Sequence, residues 1–463
     1  MTTPGLAPLA PLVGDGALVP CVDGQERPYL SCDAAASTPA FPSVLTAVED
    51  FLPWYSSVHR GAGYKSQRST DAYEGARDAV LRFAHRQGGD DVAIICRNTT
   101  EAINHLAYRL RFSADDVVVT TVVEHHANML PWSRAARCRY VECGQDGTFG
   151  ADDVVAALEA TPAPRLLAVT GASNVTGWLP PVDELVGLAH DRGVPVMVDA
   201  AQLAPHRPLP AGPDFIAWSG HKMYAPFGAG ALIGPRRVFE EGDPFLVGGG
   251  AVDLVELDQV LWTEPPDREE AGSPNAVGAV ALAAAIDQLE ALGWPAITAH
   301  DQQLAAALRR GLAAIPGVHL LGPDLGTGTL PVATFTVDGL SHALVAARLS
   351  AEDAIAVRHG CFCAHPYLVR ILGLSQGEVA EYREQVRRGD RSQTPGAVRA
   401  SLGVNASVAD IERLCAAVAR LAALVPAPVS YVQDPGTGDF TPGPASAPWL
   451  AAMRRHGSSC SPG

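Results

Sequence analysis

Pro213-Asp214-Phe215-Ile216-Ala217-Trp218 runs directly into Ser219-Gly220-His221-Lys222. The first segment ends in an apolar run long enough for a buried strand, and the second puts a hydroxyl, a glycine, an imidazole and an amine just past it. A lysine in that position, among small and anion-binding residue types, is placed to form a Schiff base. Alone the tetrapeptide decides nothing, because a lysine beside glycine is ordinarily a solvated loop residue. Its reading depends on what the other strand ends carry.

Outward from this point, short β-branched or aliphatic runs alternate with alanine-rich helical patterns. Strands are predicted over residues 92–96, 117–123, 166–170, 194–198, 215–218 and 230–233, and helices over 100–111, 151–160 and 182–191. The alternation predicts an α/β domain with a mostly parallel central sheet. Ligands of such sheets sit beyond the carboxyl ends of the strands.

Those ends are chemically rich. Asn98-Thr99-Thr100-Glu101 opens a helix whose free amides favour an anion, although the same residues make an ordinary N-cap. Glu124-His125-His126 ends the second strand; an imidazole there can stack on an aromatic ring, and no third ligand with metal spacing lies nearby, so no metal is expected. Ser173-Asn174-Val175-Thr176-Gly177 reads as a turn. Asp199-Ala200-Ala201-Gln202 follows the fourth strand. Beside a pyridine ring, the carboxylate of Asp199 would keep the ring nitrogen protonated, which is what pyridoxal 5'-phosphate (PLP) requires to act as an electron sink.

Composition sets outer limits. The chain has 463 residues, 47% of them hydrophobic, enough for a large core and more than one domain. Lys+Arg 34 against Asp+Glu 50 gives a net charge of -16, which disfavours nucleic acid and anionic membrane as partners. No apolar stretch is long enough to span a bilayer. Residues 1–20 lack a basic n-region and do not read as a signal peptide. Nine cysteines, an odd number with Cys361 and Cys363 closely spaced, fit free thiols in a reducing compartment, so a cytoplasmic location is expected.

In chain order these segments resemble the class V group of PLP enzymes of fold type I. Within it the sequence is similar to cysteine desulfurases, especially the sulfur-mobilising branch that includes selenocysteine lyases. The likeness runs through Tyr29-Leu30-Ser31-Cys32-Asp33-Ala34-Ala35-Ala36, His59-Arg60-Gly61, Thr99-Thr100-Glu101-Ala102-Ile103-Asn104, Glu124-His125-His126-Ala127-Asn128, Asp199 to Gln202, Ser219 to Lys222, Glu270-Ala271-Gly272-Ser273-Pro274-Asn275 and Arg399-Ala400-Ser401, roughly residues 28–425. The resemblance implies a large domain with a mixed, mostly parallel central sheet over residues 29–295 and a smaller C-terminal α+β domain over 296–430. An N-terminal segment, 1–28, and a tail, 431–463, flank them.

The resemblance also implies roles. Lys222 carries PLP and moves protons at the α-carbon of an amino-acid substrate, His125 stacks on the ring, Asp199 pairs with its nitrogen, and Gln202 bonds its phenolic oxygen. Thr99, Thr100, Ser219 and His221 hold the phosphate, with Ser273 reaching across from the partner of a homodimer. Asn174 lies near the ring oxygen and the substrate carboxylate, which Arg399 clamps in two-pronged fashion with Arg358 nearby.

Arg358-His359-Gly360-Cys361-Phe362-Cys363-Ala364-His365-Pro366 bears on the reaction. By the resemblance Cys363 is the nucleophile that takes sulfur from cysteine, leaving alanine, an enzyme persulfide and a sulfur-acceptor protein as a further partner. Gly360 and Pro366 make the segment a loop, and His359, His365 and Arg358 are expected to favour the thiolate. A Cys-x-Cys pair is too close and too isolated for structural zinc. Desulfurases of this branch usually have threonine at the place of His359 and histidines at those of Cys361 and Phe362, and Gly-Cys-Phe-Cys is more similar to molybdenum cofactor sulfurases. Another class V activity (aminotransferase, epimerase or C–S lyase), with Cys363 a bystander, therefore stays open, as does a PLP-free interaction scaffold. A charged insertion over 376–395 is expected to be solvated surface. The Pro- and Gly-rich tail from Val425 is expected to end partly disordered near Met453 to Gly463.

Overall fold

The computed structural model describes residues 6–443. Its large sheet holds seven strands in the order Asp91–Cys96, Gly230–Pro235, Phe215–Ser219, Val196–Asp199, Leu166–Thr170, Val117–Thr121 and Arg137–Val141. Gly230–Pro235 runs antiparallel to both neighbours, and the other pairs are parallel. The inner strands Val117–Thr121, Leu166–Thr170, Val196–Asp199 and Phe215–Ser219 are buried at every residue. Helices on both faces require this, which is why these strands read as unbroken apolar runs. Arg137–Val141 escaped the sequence reading because it is an edge strand: Arg137 and Tyr140 are exposed and break the apolar pattern.

The smaller sheet is antiparallel, in the order Val318–Leu321, Val332–Val337, Ala397–Ser401 and Arg358–Gly360. Helices Trp294–Ala313, His342–Asp353 and Val408–Ala422 share a core with it, in which Leu308, Phe335, Leu349, Leu414 and Val418 are fully buried. The protein is therefore an α/β fold with a second, α+β unit. Near its start the chain joins that second unit: Leu30–Ser31 pairs in parallel with Ile355–Ala356, 324 residues away from Ser31 to Ile355.

The charged insertion contains the helix Gln376–Arg387, which has no buried residue, as a solvated face should. The Pro- and Gly-rich tail from Val425 begins with an ordered hairpin. Tyr431–Gln433 pairs with Phe440–Pro442, and the hairpin packs on His342–Asp353. Its prolines and glycines act as turn formers: in Asp434-Pro435-Gly436-Thr437-Gly438, Gly438 takes φ +82° and Asp434 accepts the Gly436 amide. The stretch from Met453 to Gly463 lies outside the described residues.

Candidate active site

A cavity of about 960 Å³ lies beyond the carboxyl ends of the parallel strands. Phe215–Ser219 ends in a turn, Gly220–Lys222, that carries the lysine into it. Glycine is needed there, since a Cβ on Gly220 would stand 2.8 Å from the Ala229 carbonyl oxygen. Burial pushes the Lys222 amine down to about 8, with Asp199 opposing and Arg399 and Arg358 reinforcing the shift. Half of such an amine is nucleophilic at pH 8.

Asp199 closes the neighbouring strand. Its Oδ1 accepts the Ala201 N–H at 2.9 Å, which is the only hydrogen bond to its carboxylate among the described residues. Burial raises its carboxyl, against the Ala201 amide and Lys222. His125 accepts the Ala127 amide at Nδ1 (3.0 Å), and burial, followed by Lys222, holds its ring down to about 3, so the imidazole is neutral. Gln202 donates to the Ala35 carbonyl at 2.6 Å. At the opening of helix Thr99–Arg109, the Thr99 amide donates to Ser219 Oγ (2.8 Å) and the two hydroxyls lie 2.6 Å apart. Thr100 and His221 line the same cavity, and burial lowers His221 to about 4.

On the opposite wall, Arg399 is 3% exposed. It donates to the Asn174 carbonyl (2.8 Å) and to Asp33 (3.0 Å), and its guanidinium lies 5.2 Å from the Phe362 ring centre. Arg358 meets the other oxygen of Asp33 at 3.2 Å, and the Asn174 amide donates to the Phe362 carbonyl at 2.8 Å. Gly360, Phe362 and Cys363 all take positive φ, at +101°, +55° and +55°. Two consecutive non-glycine residues in that region are a stored backbone cost, of about 1–3 kcal/mol each, of the kind found at working sites. Cys363 is exposed and acts electrostatically on both Lys222 and Arg399, while Cys361 is half-buried and its thiol is pushed up by burial.

The expected cofactor and substrate residues thus share one cavity, apart from Ser273, which is exposed and outside it within this chain. The part of the thiolate expectation that rests on His359 and His365 fails. His359 bonds His342 (3.3 Å) and faces Asp439 (3.3 Å), and His365 stacks on His126 with ring centres 5.1 Å apart. Burial lowers both His359 and His365, so neither brings a cation to the thiol; Lys222 and Arg399 do. Two residues were quoted without a role. Asp33 holds both arginines from 366 positions before Arg399, a distance no local pattern reveals. Glu124 accepts from Thr121, Asn128 and the Thr170 amide, joining two strand ends beneath His125, and burial pushes its carboxyl up to about 8 against these donors.

The donor set fits PLP: a recessed amine of lowered basicity, a buried carboxylate one strand away with an unused oxygen, and hydroxyls at a helix opening for a phosphate. Fold and site together define a PLP enzyme of fold type I. A profile of aminotransferase class-V proteins matches residues 30–414. A probable cysteine desulfurase of Halalkalibacterium halodurans is 36% identical over 359 residues, 75% of this chain and 86% of that one. Probable cysteine desulfurase 2 of Mycobacterium leprae is 35% identical over 414 residues, 86% and 92% of the two chains. Among solved structures, the apo cysteine desulfurase of Thermococcus onnurineus superposes with a TM-score of 0.76 at 31% identity, covering 86% of this chain and 95% of its own. An Escherichia coli cysteine desulfurase in an S-sulfonic acid form gives 0.73 at 30%, with the same coverage. The chain belongs to the class-V aminotransferase family and is PLP-dependent.

Proposed function

We propose that the protein is a cysteine desulfurase that converts L-cysteine to L-alanine and keeps the sulfur on Cys363 as a persulfide. The observation that carries the reading is Cys363 itself: an exposed thiol held in a strained turn on the cavity that contains Lys222 and Arg399. Bound PLP supplies the sink for electrons released at the substrate's α-carbon. Lys222 Nζ holds the cofactor and afterwards moves the proton at that carbon. Asp199 keeps a proton on the ring nitrogen, and neutral His125 packs on the ring without adding charge. Thr99, Thr100, Ser219 and His221 take the phosphate, and Gln202 takes the ring oxygen. Arg399, aligned by Asp33 and Asn174, grips the substrate carboxylate, with Arg358 beside it. The Cys363 thiolate attacks the substrate sulfur. The C–S bond breaks, its pair stays with carbon, and the sulfur stays on Cys363.

The experiment is to treat wild type and Cys363→Ala with L-cysteine, measuring alanine and mapping persulfide by mass spectrometry. Alanine formation is expected to fall roughly 100-fold or more in the variant, the scale of losing an activated nucleophile, with the wild-type persulfide on Cys363. Undiminished alanine without persulfide would assign the chain another class V activity.

The functional unit we propose is a cytoplasmic homodimer. The hairpin Val252–Val255 and Val260–Trp262 exposes Leu254, Val255, Leu257 and Leu261, an apolar surface that needs cover. The Ser273 loop is tied to the base of this hairpin by the Gly272 amide on the Gly249 carbonyl (2.7 Å), so Ser273 is carried with the apolar surface toward a partner's phosphate site. The eight free cysteines among the described residues suit a reducing compartment.

A further inference from the structure

The cavity is larger than PLP and cysteine require. Together these hold about 23 non-hydrogen atoms, and even at the ~30 Å³ of a whole liquid water per atom they fill about 700 Å³. The remainder of the 960 Å³ extends past Cys363 and Gly360 beneath a roof made by residues 391–396 and the hairpin 431–442. The roof is bonded as one piece: the Arg391 amide donates to the Pro435 carbonyl (2.7 Å), Arg391 Nη1 to the Gly436 carbonyl (2.8 Å), and Gln433 to the Ser392 and Gly438 carbonyls (3.0 Å each). Val337 and Leu340 give the compartment an apolar wall.

Its charge is the informative feature. In a chain of net charge -16, the cavity is lined by four cations, Lys222, Arg358, Arg391 and Arg399, and by a single carboxylate, Asp199. Lys222 faces Asp199, and Arg399 and Arg358 share Asp33. Arg391 has no carboxylate within ion-pair distance among the described residues, and its bond to Gly436 engages a neutral carbonyl. The substrate's one carboxylate is already matched by Arg399. A second cation over an apolar wall calls for a second anion on a short carbon chain.

We propose that the outer compartment binds a small thiol bearing a carboxylate, selected by Arg391, which takes the sulfur from Cys363. This rests on the desulfurase reading. The acceptor's thiolate attacks the outer sulfur of the persulfide, the S–S bond breaks, Cys363 leaves as its thiolate, and the acceptor departs as a persulfide. No oxidant or reductant is consumed.

The test compares 3-mercaptopropionate with neutral 2-mercaptoethanol on the holoenzyme, wild type and Arg391→Gln. Wild type is expected to transfer persulfide sulfur to the acid roughly tenfold faster than to the neutral thiol at equal concentration, one charge-assisted contact's worth. Arg391→Gln is expected to remove that ratio while first-turnover alanine stays within about twofold of wild type. Loss of rate with both thiols alike would mean the roof had only loosened, and would overturn the proposal, as would a ratio that Arg391→Gln leaves intact. Calorimetric binding of 3-mercaptopropionate without cysteine separates the two readings: an Arg391-dependent affinity in an enzyme that makes no alanine keeps the compartment and rejects the desulfurase. If Arg391 instead discriminates S-(2-carboxyethyl)-L-cysteine from S-propyl-L-cysteine and neither thiol, the acid belongs to the amino-acid substrate and the acceptor assignment falls.

Discussion

The two ends of the cavity are built differently. The inner end is made by residues that close parallel strands or come just after them, Asp199, Ser219 and Lys222, with the Asp199 carboxylate held by the Ala201 amide and the Ser219 hydroxyl by the Thr99 amide. The outer end is a roof of two segments, 391–396 and 431–442, tied mainly through backbone carbonyls and packed on one helix. An inner wall of that kind has a single geometry imposed by the sheet, whereas a roof of carbonyl contacts tolerates exchange of side chains. Chemistry is therefore expected to be concentrated at one end and selectivity at the other.

Removing an inner group breaks this contrast most directly. Asp199→Ala is expected to retain cofactor through the phosphate contacts while alanine formation falls roughly 100- to 1000-fold, the scale of losing one preorganised electrostatic partner in a buried site. Cofactor content by absorbance and turnover on the same sample check this, and near-normal turnover with bound PLP would move the ring nitrogen's partner elsewhere.

A smaller effect sharpens it. The Lys222 amine reacts with the cofactor only when unprotonated, and its value of about 8 lies below the ordinary lysine range. From pH 7 to pH 9 the neutral fraction rises roughly tenfold and then levels off. Stopped-flow coupling of PLP to cofactor-free protein should follow that curve and disappear in Lys222→Ala. A rate still climbing tenfold per unit at pH 9 would give the amine an ordinary basicity and the inner end no special electrostatics.

The mildest effect belongs to the roof. Gln433→Ala deletes two bonds to carbonyls and is expected to cost about 1 kcal/mol of stability, seen as a lowered melting temperature. Amide exchange over residues 391–396 should quicken while turnover of cysteine changes less than about twofold. A loss of turnover comparable to that of Asp199→Ala would erase the distinction between the two ends.

The same distinction governs what could be read in the sequence. Strand ends were legible because fully buried parallel strands give continuous apolar runs, and the residues that follow them face the site by topology: Asp199 and Lys222 needed no three-dimensional knowledge. The edge strand Arg137–Val141 was not legible, since half of it faces water. Asp33 carried no signal of its own, its partners lying at positions 358 and 399. His359 and His365 were legible as loop residues, but the lowering of their basicity comes from desolvation beside His342 and His126, which chain order cannot show. The hairpin 431–442 was hidden by composition, because prolines and glycines mark tight turns and loose ends alike.

The pairing of Leu30–Ser31 with Ile355–Ala356 has a consequence for synthesis. Translation is vectorial, so the beginning of the chain emerges first yet waits for 324 further residues before its strand partner exists. At about 5–20 residues per second that interval is roughly 16–65 s. The large sheet, complete by Pro235, can close around the lysine turn during this time, whereas the arginine clamp anchored on Asp33 is assembled only once Arg358 and Arg399 have emerged. A nascent chain is then competent to gather its cofactor cradle well before it can hold an amino acid, and a ribosome that stalls between Pro235 and Arg358 leaves a protein with a lysine pocket and no substrate grip.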